Sequence, residues 1–158
     1  MKNYVTYDSP IGKLVLIGED DALVGLHFKS KISQKLSQKL TPILQKTKKQ
    51  LDEYFCGKRK NFDLKLNISG TDFQLNAWKH LQKIPFGKTI SYAQQALSVG
   101  SEKAFRAVGS ANGKNPIAIV VPCHRVIRAD GTAGGYAGGI NIKNFLIDHE
   151  SKNLISKK

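Results

Sequence analysis

Apolar and polar positions alternate from the start of the chain. Residues 3–7, 13–17 and 22–28 read as extended runs, separated by Ser9-Pro10-Ile11-Gly12 and the acidic turn Glu19-Asp20-Asp21; this predicts an antiparallel meander. Residues 29–39 are polar and lysine-rich, a solvated loop or short helix. A helix is expected from Thr41, with Pro42 at its first position and Ile43, Thr47, Leu51, Tyr54 and Phe55 on its inner stripe, until Gly57 stops it. Phe62, Leu64, Leu66 and Ile68 then alternate with polar residues as a half-buried strand does. Ser69-Gly70 marks a boundary, giving an N-terminal domain over 1–68 and a C-terminal one over 69–158.

Beyond the boundary the period turns helical. Thr71 with Gln74 forms a capping box that opens a helix through Phe73, Ala77, Trp78 and Leu81, ending before Ile84-Pro85-Phe86-Gly87. Ser91 with Gln94 is a second box, starting a short helix over 92–97. Val99-Gly100-Ser101 turns the chain, Ser101 is placed to cap a further helix with Glu102 in its first turn, and the pair suggests helix-turn-helix. In that second helix Ala104, Ala107, Val108 and Ala111 share one face, which turns Arg106, Gly109 and Ser110 outward. Residues 117–121 read as a strand covered on both faces, ended by Pro122, which has no N–H to donate. The last helix, capped by Asn141, sets Ile142, Phe145, Leu146, His149 and Glu150 on one stripe. Glu150 thereby faces inward and requires a partner, for which His124, His149 and an arginine are the candidates.

Charge narrows the class of partner. The 158 residues carry 25 Lys plus Arg against 12 Asp plus Glu, a net charge of +13 spread along the chain, which attracts polyanions. Two cysteines in unlike contexts make neither a disulfide framework nor, without a C-x-x-C pair, a zinc site; Cys56 reads as a small apolar filler. With no cationic-then-apolar leader and no apolar stretch near the ~18 residues of a membrane span, a reduced, cytoplasmic protein is expected.

Cys123-His124-Arg125 follows the apolar run and presents a thiol, an imidazole and a guanidinium in succession. A thiolate beside an imidazole held by a carboxylate is the arrangement of an activated nucleophile; the alternative is a packing cysteine in a helix-turn-helix DNA-binding regulator. The outer face around Arg106 is small. A helix with ordinary side chains is ~10–12 Å across and the minor groove ~6 Å wide, so a slim helix suits the minor groove and reads little sequence. A guanidinium such as Arg106 can occupy the stack that an extruded base leaves, and Tyr92 can bond a phosphate or the base itself. Asn115-Pro116 is suited to fixing a turn, and the loop over residues 133–139 carries four glycines that let backbone groups approach a ligand.

Taken together these residues resemble the methylated-DNA-protein-cysteine methyltransferases, or O6-alkylguanine-DNA alkyltransferases. The resemblance rests on Pro122-Cys123-His124-Arg125-Val126 and, in order along the chain, Phe73-Gln74 with Trp78, Ser91-Tyr92, Arg106-Ala107-Val108-Gly109, Asn115-Pro116, Gly135-Tyr136-Ala137-Gly138-Gly139 and His149-Glu150. It implies an α+β fold: a small N-terminal ribonuclease-H-like sheet domain and a mainly α-helical C-terminal domain with a winged-helix-like helix-turn-helix. It further implies repair of O6-alkylguanine in double-stranded DNA by a monomer without cofactor or metal, one lesion per molecule, or, in non-catalytic relatives, damage sensing alone. Cys123 would accept the alkyl group, Glu150 orient His124, Asn115 hold the site and Tyr92 assist the leaving guanine. The DNA-facing set would be Tyr92, Arg106, Ala107, Gly109, Ser110 and Arg125, and the base would lie against Val126, Tyr136, Ala137 and Gly138. Ala137, Ala77 and Phe105 depart from the commoner residues of the pattern.

Overall fold

In the computed structural model residues 2–28, 36–101 and 103–154 are described. The chain divides into two compact units, residues 1–68 with 116–118, and residues 69–115 with 119–158. In the first unit β1 (Lys2–Ser9), β2 (Gly12–Glu19) and β3 (Ala22–Phe28) form the expected antiparallel meander. The short β4 (Ser37–Gln38) adds to β1 in parallel, for a strand order β3-β2-β1-β4. It lies in the polar stretch expected to be loop or helix; residues 29–35 of that stretch fall outside the described residues.

Helix α1 (Pro42–Phe55) starts on its proline and ends at Gly57, whose φ of 85° suits a residue without Cβ. Ile43, Leu44, Thr47, Leu51 and Tyr54 are buried as its period requires, together with Gln50; Phe55 is only half-buried. Gln50 can lie inward because its amide is paired at both ends, donating to the Asp63 carbonyl and accepting from the Asp63 N–H, each at 2.9 Å. The alternating run 62–68 keeps its half-buried pattern but forms no regular strand: Leu66 makes a single parallel bridge to Leu23, and Ile117 makes another to Leu26. These two passing segments pair with β3 at Leu23 and Leu26.

The second unit holds α2 (Asp72–Leu81), α3 (Tyr92–Ser98), α4 (Phe105–Gly113), α5 (Ile140–Asn153) and a two-stranded parallel ladder of β5 (Ile90–Ser91) and β6 (Val126–Ile127). Both capping boxes form, at Thr71/Gln74 and at Ser91/Gln94. Trp78 donates its indole N–H to the Ala111 carbonyl at 2.8 Å, tying α2 to α4. Gln95 and Asn112, both buried, exchange amide bonds of 2.9 and 2.7 Å and lock α3 to α4.

Helix α4 begins three residues later than expected, with Ala104 at its cap. Ser101 is not its cap: the Ser101 N–H closes on the Ala96 carbonyl and the Gly100 N–H on Leu97, a Schellman ending of α3 with Gly100 at φ 99°. The inward face is Val108, Ala111 and Asn112, while Ala107 is exposed beside Arg106 and Ser110. Nor do residues 117–121 form a strand. Ile117 makes its one bridge, and the chain then turns through Ile119 at φ 70°, a left-handed backbone that costs a β-branched residue about 1–2 kcal/mol. Burial here reflects passage of the chain from one unit's core into the other's.

Candidate active site

Pro122 sits at φ −85°, ψ 66° and the Cys123 N–H returns to the Val121 carbonyl at 2.9 Å, an inverse γ-turn that breaks the apolar run and aims the thiol. Residues Cys123–Arg125 then form one 3₁₀ turn. This places Cys123 at a cavity of about 610 Å³ lined also by Tyr92, Arg106, Arg128, Tyr136 and Ala137, all from the second unit. The residue is 7% exposed, so its access to a reactant is through that cavity. Burial pushes the Cys123 thiol up; Asn115, hydrogen-bonded to it, and Lys143 pull the other way without cancelling the effect. The resting group is therefore a thiol, where the sequence suggested a neighbour-lowered thiolate, and reaction requires a base.

The next residue supplies one. His124 is fully buried and its Nε2 lies 2.7 Å from Glu150 Oε2. Burial drives the imidazole below its ordinary value and Glu150 only partly offsets it, so the ring is neutral near pH 7. A neutral ring facing a carboxylate donates Nε2–H to it, which leaves the lone pair on Nδ1; that atom has no partner among the described residues. No hydrogen bond joins Cys123 and His124 directly among the described residues.

Glu150 is the inward carboxylate that the helical period demanded, and Arg125 completes its pairing. The Arg125 guanidinium donates to both Glu150 oxygens, at 2.8 and 3.1 Å, and to the Ile84 carbonyl at 2.7 Å, with the Phe86 ring centroid 5.8 Å from its carbon. Burial opposes ionisation of Glu150, but His124 and Arg125 outweigh it and hold the carboxyl well below its usual range. Arg125 is therefore corrected from the DNA-facing set: it is buried and its donors are committed inside. Of the other candidate, His149, the ring stacks on Phe145 with centroids 6.1 Å apart and the carbonyl accepts from Asn153 at 2.7 Å.

The stripe of α5 runs through Lys143, Leu146 and Glu150 rather than through Phe145, which is 40% exposed; the helix starts at Ile140, with Gly139 rather than Asn141 at its cap. Hydropathy gives no sign that Lys143 is buried; the one signal is its spacing, at i−3 from Leu146 and i−7 from Glu150. Its ammonium donates to Tyr92 Oη at 3.3 Å and to the Gly135 carbonyl at 3.2 Å, and lies 5.5 Å from the Tyr92 ring centroid. Burial lowers it to about 8, against the opposing pull of Cys123.

Tyr92 is the first residue of α3, and burial together with Cys123 raises its phenol. Gly134 wraps over it at φ 78°, where a Cβ would stand 2.8 Å from Tyr92 Oη. Arg106 leaves α4 exposed, its guanidinium 5.9 Å from the ring centroid of half-exposed Phe105. Gly109 is half-buried beside Tyr92. Asn115 donates to the Val121 carbonyl at 2.7 Å, which braces the γ-turn. Val126 is buried in the β5–β6 ladder, and neither it nor Gly138 lines the cavity. Among the described residues no cluster of His, Cys, Asp or Glu is placed to hold a metal, and no helix is long and apolar enough to cross a membrane.

A helix-turn-helix unit that carries a buried thiol, an imidazole–carboxylate pair and an exposed arginine defines a DNA-directed cysteine acceptor. Comparison with known proteins agrees. Residues 2–68 match the family model for the 6-O-methylguanine DNA methyltransferase ribonuclease-like domain, and residues 72–152 that for its DNA binding domain. The methylated-DNA–protein-cysteine methyltransferase of Methanosarcina barkeri is 45% identical over 96% of this chain and 98% of its own, and the constitutive one of Bacillus subtilis 43% over 95% and 96%. The crystal structure of Mycobacterium tuberculosis O6-methylguanine methyltransferase superposes with TM-score 0.91 at 42% identity, covering 99% of this chain and 97% of that one. Its complex with DNA gives 0.90 at 45%, covering 96% and 94%. The chain belongs to the methylated-DNA–protein-cysteine methyltransferase family.

Proposed function

We propose that the protein repairs O6-alkylguanine in duplex DNA by moving the alkyl group onto Cys123, once per molecule. The observation that carries this is the Cys123 thiol at a cavity whose wall also holds Arg106, with the neutral His124 anchored to Glu150 behind it. In this reading α4 enters the minor groove with Arg106, Ala107, Gly109 and Ser110, the lesion nucleotide turns out, and Arg106 takes its place in the stack. The base enters the cavity against Tyr136 and Ala137, which line it.

The step conserves atoms. The Cys123 sulfur bonds the alkyl carbon as the bond from that carbon to O6 breaks, and the thiol proton passes to His124 Nδ1 through a water and returns to the departing guanine. Because Tyr92 Oη accepts from Lys143, its own O–H is left to donate to the guanine ring as it becomes a leaving group. A thioether is not hydrolysed at such a site, so the reaction ends there. All groups named come from residues 69–158 of one copy, which fits action as a monomer, and a free thiol fits the reducing cytoplasm.

The experiment is a time course on duplex DNA carrying labelled O6-methylguanine. Transfer should plateau at one label per protein molecule whatever the excess of DNA. Continued release of product beyond that ratio would overturn the proposal in favour of a turning-over hydrolase.

A further inference from the structure

The cavity wall carries a second exposed arginine to which neither the sequence motifs nor the reaction gives a task. Arg128 follows β6 and lies at the start of a braced turn: its N–H bonds the Thr132 carbonyl at 2.9 Å, and its carbonyl accepts from Gly131 at 3.0 Å. Asp130 is held within that turn, accepting from the Thr132 N–H at 3.0 Å and hydroxyl at 2.7 Å. The Arg128 guanidinium has no ion-pair partner among the described residues, and no residue lining the cavity carries a carboxylate. Arg106 and Arg128 thus reach the same opening from two different elements, α4 and the turn after β6.

We infer that Arg128 binds a backbone phosphate flanking the extruded nucleotide, holding the flipped strand while Arg106 occupies the stack. The inference rests on the function proposed above. When a base swings into a cavity its sugar and two phosphates stay at the mouth, where a planar guanidinium can grip a phosphate through two donors. Asp130 of the same turn feels the Arg128 charge but makes no ion pair with it among the described residues, and its carboxylate is taken up by Thr132, so the guanidinium remains available to a phosphate. The fields of Arg128 on Tyr92 and on Lys143 are in keeping with a position close to the reacting groups.

The test is binding rather than transfer, so that it stands apart from the alkyl-transfer reading. Fluorescence anisotropy would be measured in the Cys123→Ser background, with and without Arg128→Gln, on a duplex containing O6-methylguanine and on the same duplex undamaged. Arg128→Gln should weaken lesion binding about tenfold and lower the salt slope by about one, with a much smaller loss on undamaged DNA. Replacing one flanking phosphate with a neutral methylphosphonate should cost as much, and the two changes together no more than either alone. Arg128→Lys, which keeps the charge and loses the two-donor fork, should fall between wild type and Arg128→Gln, which separates charge from folding. Equal losses on both duplexes, or losses from Arg128→Gln and methylphosphonate that multiply, would overturn the assignment. Failure of the wild-type protein to take up methyl would instead remove the proposed function and leave this binding result to be read by itself.

Discussion

Lys143 shows how much of the site's electrostatics sits on a residue that hydropathy assigns to the surface. Its ammonium is buried and lies between the Gly135 carbonyl and Tyr92, at a value near 8. The linkage has a definite sign. Between about pH 8 and 10 the unfolded chain keeps this proton and the folded one does not, so the Lys143 contribution to stability rises with pH, by an amount on the order of 3 kcal/mol in full. Denaturant unfolding at pH 7 and pH 10 should therefore show wild type gaining stability relative to Lys143→Met; an unchanged difference would contradict a buried, charge-strained lysine. Glu150 has the same pH sign in a more acidic window, but as a stabilising group. Its stabilisation is present above the ordinary carboxylate range and is lost as pH falls toward its depressed folded value. Glu150→Gln leaves the buried Arg125 charge without its carboxylate and should cost about 3–5 kcal/mol, a melting point lower by roughly 10 °C at neutral pH.

At the scale of elements, what the sequence made legible was local. Thr71/Gln74 and Ser91/Gln94 form their capping boxes because those bonds span three residues and need nothing from the rest of the fold. Helix α1 was readable for the same reason, from Pro42 to Gly57. The misses arise where one segment answers to a distant one. Ser101 looked like a cap, but its N–H serves the end of α3. Residues 117–121 looked like a strand, but the chain there bends through Ile119, at a backbone angle that no local preference favours. The inward place of Arg125 could not be read locally because its partners, Glu150 and Ile84, lie 25 and 41 residues away. The glycine loop yields a sharp prediction. Gly134→Ala adds strain at φ 78° and a carbon 2.8 Å from Tyr92 Oη, so it should displace Tyr92. The alkyl-transfer rate should fall at least about tenfold with little change in duplex affinity, given that a small misplacement of a reacting group is costly; unaltered transfer would show that the loop does not position Tyr92.

For the whole molecule, a charge of +13 is the background on which the site acts. It supplies attraction to any polyanion and no choice among lesions, so in the proposed reading discrimination falls to the cavity lined by Tyr92, Tyr136 and Ala137. If only Arg106 and Arg128 release counterions, affinity for duplex DNA should fall about tenfold between 50 and 200 mM salt, and more steeply if surface lysines contribute. Affinity independent of salt would remove duplex DNA as the partner. Alkyl transfer depends on one atom, the Cys123 sulfur. The measurement that isolates it is the intact mass of the protein after incubation with an O6-methylguanine duplex, followed by peptide mapping. A single methyl-for-hydrogen gain is expected, confined to the peptide holding Cys123 and absent from Cys123→Ser; an unmodified chain, or a methyl group on any other residue, would rule out Cys123 as the acceptor.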